Sequence, residues 1–193
     1  IHGTLELIGH VGNFSVTDNF MSGVVNIDIV SRRGDIELKN NNIVSKSTTI
    51  AIIGLETTGI VISGNYFANG SFHCSLQCAL DAQIFNNTFN ELQVSSGKQS
   101  LVAFSSIGCP DTSINFRRND VNSIRHTSSE INTSIFNIKY PNSRMNIQRN
   151  LITDYDVDYI FNTHGESTVN ATENWFGTVD ELEISDRIQN LTI

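Results

Sequence analysis

Three aspartates, Asp154, Asp156 and Asp158, alternate along one short stretch, which on an extended chain turns their carboxylates to the same side. Hard cations take oxygen ligands, so this trio is the candidate for a weak calcium site. Arg144 and Arg149 lie nearby, and His164 follows in Asn162-Thr163-His164-Gly165. His2, His10, His73, His126 and His164 have no metal-ligand spacing among themselves, and a zinc site would have to draw on His73, Cys74 and Cys78. No Gly-rich phosphate loop, nucleophile elbow or Cys-His dyad is visible. The aspartates read as solvated groups or weak calcium ligands, no catalytic residue is assigned, and no other metal or cofactor is expected.

Whatever these side chains do, a repeat positions them. The pattern apolar, any, apolar, any, any, Asn, any, apolar occurs seven times, with its Asn at Asn19, Asn41, Asn65, Asn87, Asn119, Asn150 and Asn174. Successive copies are 22, 24, 22, 32, 31 and 24 residues apart, so a coil of 22 to 24 residues carries two longer insertions. Each copy reads as a short strand of period two, a polar corner and the first apolar residue of another strand. Second strands fall between them, as at Val25, Ile27 and Ile29 or Phe136 and Ile138. One copy cannot bury its apolar face, but stacked copies can, which predicts an all-β parallel β-helix of about seven coils. An antiparallel sandwich has strands at similar spacing, yet it gives no reason for one corner Asn to recur in register. The Asn is expected to be the left-handed turn residue of its corner and to hydrogen-bond to the Asn above and below. Ile36, Ile60, Ala82, Ile114, Met145 and Val169 should form one interior column.

Composition agrees with such a fold. Charged residues are 17% of the chain and there are only 2 prolines and 13 glycines, so Asn is expected to make most of the tight turns. The net charge of -8 argues against nucleic acid or an anionic membrane as partner. No apolar run is long enough to span a bilayer, so no direct membrane insertion is expected of this chain.

The motif, as in Val169 through Phe176, resembles the right-handed β-helix repeats of the pectin-lyase-like superfold, over nearly the whole chain. The closing Asn174-Trp175-Phe176-Gly177-Thr178 is similar to the ending of β-helices in large extracellular proteins, including cell-junction proteins of the Bark beetle (Anakonda) type, although Phe176 stands where Trp is common. The resemblance implies an extracellular or cell-surface protein, of which this chain is a fragment, serving as a non-enzymatic structural or adhesion scaffold with protein or glycan partners. It carries over no catalytic residue. The same superfold includes polysaccharide lyases and glycoside hydrolases, which is the alternative. Such enzymes need calcium-binding carboxylates with a basic group, or carboxylates spaced to admit a water.

Residues 1–177 are read as the β-helix, and 178–193 as a C-terminal cap or the start of a further segment. Thr178 and Glu181 have capping-box spacing, and Leu182, Ile184, Ile188 and Leu191 are expected to give that segment an apolar face. Six glycosylation sequons occur, at Asn13, Asn69, Asn86, Asn132, Asn170 and Asn190, and the repeat's phase turns Asn13, Asn86 and Asn170 outward. Cys78 lies nine residues before Asn87 and Cys109 ten before Asn119, so the two share nearly one angular position on adjacent coils. Strands there are about 4.8 Å apart, within disulfide reach. A Cys78–Cys109 bond is therefore expected, with a Cys74–Cys78 bond and three reduced thiols as the rivals.

Overall fold

The computed structural model describes residues 2–31, 33–54, 59–78, 81–94, 100–105, 112–126, 133–139, 143–164, 168–178, 181–186 and 188–189. Seven short strands, β2 (Phe14–Thr17), β4 (Asp35–Lys39), β6 (Gly59–Ser63), β8 (Asp81–Phe85), β11 (Thr112–Arg117), β14 (Ser143–Gln148) and β17 (Thr168–Asn170), stack in parallel as a narrow sheet. The wide sheet begins with β1 (His2–Val11), β3 (Phe20–Ser31), β5 (Asn42–Gly54) and β7 (Tyr66–Gln77). In later coils the same path is split into β9 (Thr88–Val94) and β10 (Ser100–Ser105), β12 (Asp120–His126) and β13 (Ser134–Lys139), and β15 (Leu151–Asp156) and β16 (Tyr159–His164). The chain thus alternates between two all-parallel sheets. This is the parallel β-helix that the repeat predicts.

Strand register explains why period-two strands suffice. Ile36, Ile60, Ala82, Ile114, Met145 and Val169 are consecutive Cα partners, all within the buried core, so the expected column forms. Leu38, Ile62, Ile84, Phe116 and Ile147 make a second column two residues on. Met21, Ile43, Phe67, Phe89, Val121 and Ile152 make a third on the wide sheet. Each fully buried aliphatic or aromatic side chain contributes roughly 1.5–3 kcal/mol, and only stacking allows it. Phenylalanines from both sheets meet in the interior, where Phe67, Phe89, Phe116, Phe136, Phe161 and Phe176 follow one another at ring separations of 5.0–6.1 Å.

The corners differ from expectation. Left-handed backbone falls on the residue before each ladder Asn, at Asp18, Asn40, Gly64, Asn86, Arg118, Arg149 and Glu173, and not on the Asn itself. The side chain of that preceding residue points out to solvent, so Asp, Arg and Glu serve as well as Asn or Gly. A second left-handed bend follows four residues after the ladder, at Gly23, Asn69, Glu91, Ser123 and Asp154. It divides the wide sheet into a near limb, next to the ladder, and a far limb beyond the bend. Asn supplies only three of the eleven left-handed non-glycine residues described, so it is not the general turn-maker expected. Gly70 is required for a different reason, because a Cβ there would stand 2.2 Å from the Ser45 carbonyl oxygen.

The 32-residue coil, from Asn87 to Asn119, does not interrupt the stack. Phe72 pairs with Val94 while Cys74 pairs with Val102, so the chain takes seven residues (95–101) where the preceding coil uses one (73). Gln77 pairs with Ser105 and Asp81 with Ser113, so a further four extra residues fall between β10 and β11. The expected end segment forms helix α1 (Glu181–Asp186) and a last strand β18 (Ile188–Gln189), which pairs with β16 through Phe161 and Ile188. Leu182 is 76% exposed and does not join an apolar face, because a helix of 6 residues turns only part of its surface inward. Ile188 does pack on the core. Residues 179 and 180, the Glu181 side chain and Leu191 lie outside the described residues, and so does the expected capping box.

Ile62→Asp should cost about 4 kcal/mol or more, since it places an unpaired carboxylate among Leu38, Ile84 and Phe67. Ile62→Val should cost only about 1 kcal/mol. Urea unfolding of the two variants checks the pair, and a wild-type midpoint for Ile62→Asp would place residue 62 outside the core.

Candidate functional site

The ladder asparagines are the most connected polar groups described. Nδ2 of Asn19, Asn41, Asn65, Asn87, Asn119 and Asn150 donates to Oδ1 of the ladder Asn one coil on, at 2.9–3.2 Å. The backbone N–H of the same six residues donates to that same Oδ1 at 2.9–3.1 Å. From Asn41 onward, Nδ2 also donates to a carbonyl of the coil before, namely Val16, Leu38, Ile62, Ile84, Phe116 and, from Asn174, Ile147. Each interior Asn ties three coils together. Five of the seven are buried, and their neutrality lets identical groups stack where carboxylates would repel.

Asp154, Asp156 and Asp158 are all exposed, as period two requires, yet they do not converge. Asp154 sits at the second bend with φ of 49°, its Oδ2 accepting from the Ser123 hydroxyl at 2.6 Å and its Oδ1 from Arg125 at 2.8 Å. Those two donors, the serine first, hold its carboxyl below the usual range. Asp158 instead accepts from the Thr133 backbone N–H at 2.8 Å and hydroxyl at 3.1 Å. The expectation of one shared acidic side is corrected here, because the left-handed bend breaks the extended run. Among the described residues no three His, Cys, Asp or Glu side chains are grouped to hold an ion.

The other candidates are scattered. Arg149 pairs with Glu173 on the corner ridge, which raises the one pKa and lowers the other, and Arg144 faces solvent from the narrow sheet. His164 is exposed at the end of β16. Asn162 of the same segment is buried and stacked on Asn137, and Oδ1 of each lacks a hydrogen-bond partner. His73 is buried, with Nδ1 2.9 Å from the Ser100 carbonyl oxygen. Cys74 is a free thiol inside the core, and burial pushes its pKa up to about 12. Cys109 lies outside the described residues.

Sequon residues Asn13, Asn69, Asn86 and Asn170 are all exposed. Asn69 and Asn86 occupy the two left-handed bends, where the backbone carries the side chain away from the core. At Asn170, Oδ1 accepts from the Thr172 hydroxyl at 3.0 Å, joining the two polar members of that sequon. Asn132 and Asn190 lie outside the described residues.

One surface was missed in sequence. Directly after each ladder Asn comes an outward residue of the near limb, and Phe20, Tyr66, Leu151 and Trp175 hold that place in four coils with 57%, 38%, 43% and 47% of their surface exposed. The signal was present as the position after each ladder Asn, but alternation alone does not say that an apolar residue there lacks cover. No helix among the described residues is long and apolar enough to cross a membrane, a statement that does not extend to β-barrels. Compared with known proteins, the chain matches no family model, no curated protein and no solved structure.

Asn87→Ala removes the acceptor of the Asn65 backbone and side chain and the donor to Ile62 and Asn119, and should cost about 3 kcal/mol. Asn19→Ala, at the ladder's end, should cost about 1 kcal/mol. Asn87→Asp puts an oxygen against three acceptors, the Ile62 and Phe85 carbonyls and Asn119 Oδ1, so only its protonated form fits. Its folded pKa then lies above the unfolded value of about 3.9, and the variant should be most stable below that pH and weaken as pH rises through the folded value. Denaturant melts from pH 3 to 8 check all three. Cys74 should resist alkylation by iodoacetamide near pH 8 until the chain unfolds, because the thiolate is the reactive form. Rapid labelling of Cys74 in the native protein would contradict its burial.

Proposed function

We propose that the chain is a non-enzymatic extracellular scaffold, a structural or adhesive rod that engages protein or glycan partners along its β-helix surface. The observation that carries this reading is the uninterrupted stack. Seven ladder residues and three apolar columns run along the stack, and inserted residues are accommodated without breaking either. A rod of fixed rise presents its outer residues at fixed intervals, which suits a scaffold. Four sequons open to solvent, two of them on bends, support an extracellular address. The closing Asn174 to Thr178 segment, which resembles the ends of β-helices in cell-junction proteins, points the same way.

The Cys78–Cys109 disulfide belongs to this proposal. Cys74 is a free thiol in the core, which leaves Cys78 and Cys109 as the candidate pair among the three cysteines. In the chain-entropy model a closed loop of 31 residues, from 109 minus 78, contributes roughly 3–4 kcal/mol.

Secretion from a eukaryotic host followed by peptide mapping tests the reading. N-glycans are expected at Asn69 and Asn86, and unreduced digests should link Cys78 to Cys109. The glycosylated protein should be retained on extracellular matrix and should release no product from polygalacturonate. Bare sequons on secreted protein, a Cys74–Cys78 link, or unsaturated uronides appearing in the digest would each count against it, the last in favour of a lyase.

A further inference from the structure

The outer face of the near limb carries groups that neither the core nor the ladder uses. Phe20, Tyr66, Leu151 and Trp175 stand in one column of backbone register, four of the six large apolar side chains exposed among the described residues. Tyr66 is two coils from Phe20 and four from Trp175, about 10 Å and about 19 Å at the usual strand spacing. Between them the column holds Asn42, Thr88 and Asp120. The neighbouring column, two residues on, is tied together on the outside, Asn122 donating to Asn90 and Thr153 donating to Asn122, each at 3.2 Å. Asp120 is the single charged residue of the two columns, in a chain with 12 basic and 20 acidic residues.

Resting on the scaffold reading above, we propose that this face binds an uncharged linear polysaccharide laid along the helix axis. Flat aromatic rings take the C–H faces of pyranoses, a contact that needs apolar surface and no charge. Amide and hydroxyl groups between the rings offer donors and acceptors to sugar hydroxyls. The fixed coil rise spaces both kinds of group at whole multiples of one interval, which a repeating polymer can follow and a compact ligand cannot. Charge selects the class of polymer. An acidic polysaccharide or a nucleic acid would meet no Lys or Arg in either column, on a chain of net charge -8. An amphipathic protein helix would need a continuous apolar stripe, which Asn42, Thr88 and Asp120 interrupt.

Trp175 is the only tryptophan of the chain and lies in the column, so its emission reports occupancy. The purified protein is titrated with cellohexaose, laminarihexaose, chitohexaose and, as the anionic comparison, oligogalacturonate. At least one neutral hexasaccharide is expected to shift the emission saturably. Tyr66→Ala should weaken that binding roughly tenfold, while Tyr66→Phe, which keeps the ring, should stay within about twofold. Glu37→Gln on the outer face of the narrow sheet should leave it unchanged. Far-UV circular dichroism of each variant establishes that it is folded, as expected where an exposed side chain is replaced. No response to any neutral sugar, a response that Tyr66→Ala leaves intact, or binding of oligogalacturonate alone overturns the proposal. If matrix retention persists while the neutral sugars fail, the glycan site is wrong and the scaffold reading stands; if retention fails as well, both are.

Discussion

A buried amide in a protein interior must find partners for two donors and an acceptor, and in this chain those partners are copies of itself. Each interior ladder Asn donates forward to the next Asn and back to a carbonyl of the coil before, while its Oδ1 receives two bonds from the coil behind. An unsatisfied amide in the same place would cost about 1–3 kcal/mol, so the ladder penalises any coil that fails to return to its corner. That constraint fixes register. The apolar columns add most of the energy but would tolerate sliding, because Ile, Val, Leu and Phe substitute for one another along them.

Fixing one corner frees the rest of the coil to vary. Coils of 22 and 32 residues share the same ladder because the additional residues leave the path between strands and not at the corner. The same logic governs the left-handed positions. With the Asn committed inward, the residue before it takes the strained backbone, and its side chain is released to solvent. Asp18 and Asn40 bond to each other there at 3.2 Å, and Arg149 and Glu173 form an ion pair, so the ridge is reinforced outside as the ladder is inside. Exposed pairs of this kind are weak and screened, so they follow the fold more than they direct it.

Function on such a frame is a matter of columns. A side chain outside the core recurs at a fixed rise and faces a fixed direction, and its neighbours in space are one coil away in sequence. Catalytic groups would have to be gathered across coils, and the described acids and bases are instead held apart, Asp154 by Ser123 and Arg125, Asp158 by Thr133. What does recur is a column of exposed apolar side chains with polar ones between them on the near limb, and the display of sequon residues at the bends.

The repeat of seven asparagines by itself determined the fold class, the interior columns and the ladder, because period-two strands with a fixed polar corner have only one way to bury their apolar face. It also determined that Asn13, Asn86 and Asn170 face outward, since phase carries over from core neighbours. The tertiary structure decided which corner residue is left-handed, because that depends on whether the Asn side chain is spent inward, and local propensity favoured the Asn. It decided that Asp154, Asp156 and Asp158 do not share a side, because a bend within β15 is set by stacking on Ser123 and Glu91, not by the residue types of the segment. It decided that Phe20, Tyr66, Leu151 and Trp175 form one exposed column, for two residues some 46 positions apart come onto one line only when the coils between them are closed. Sequence fixes the direction of a side chain along one strand; what stands above and below it belongs to the stack.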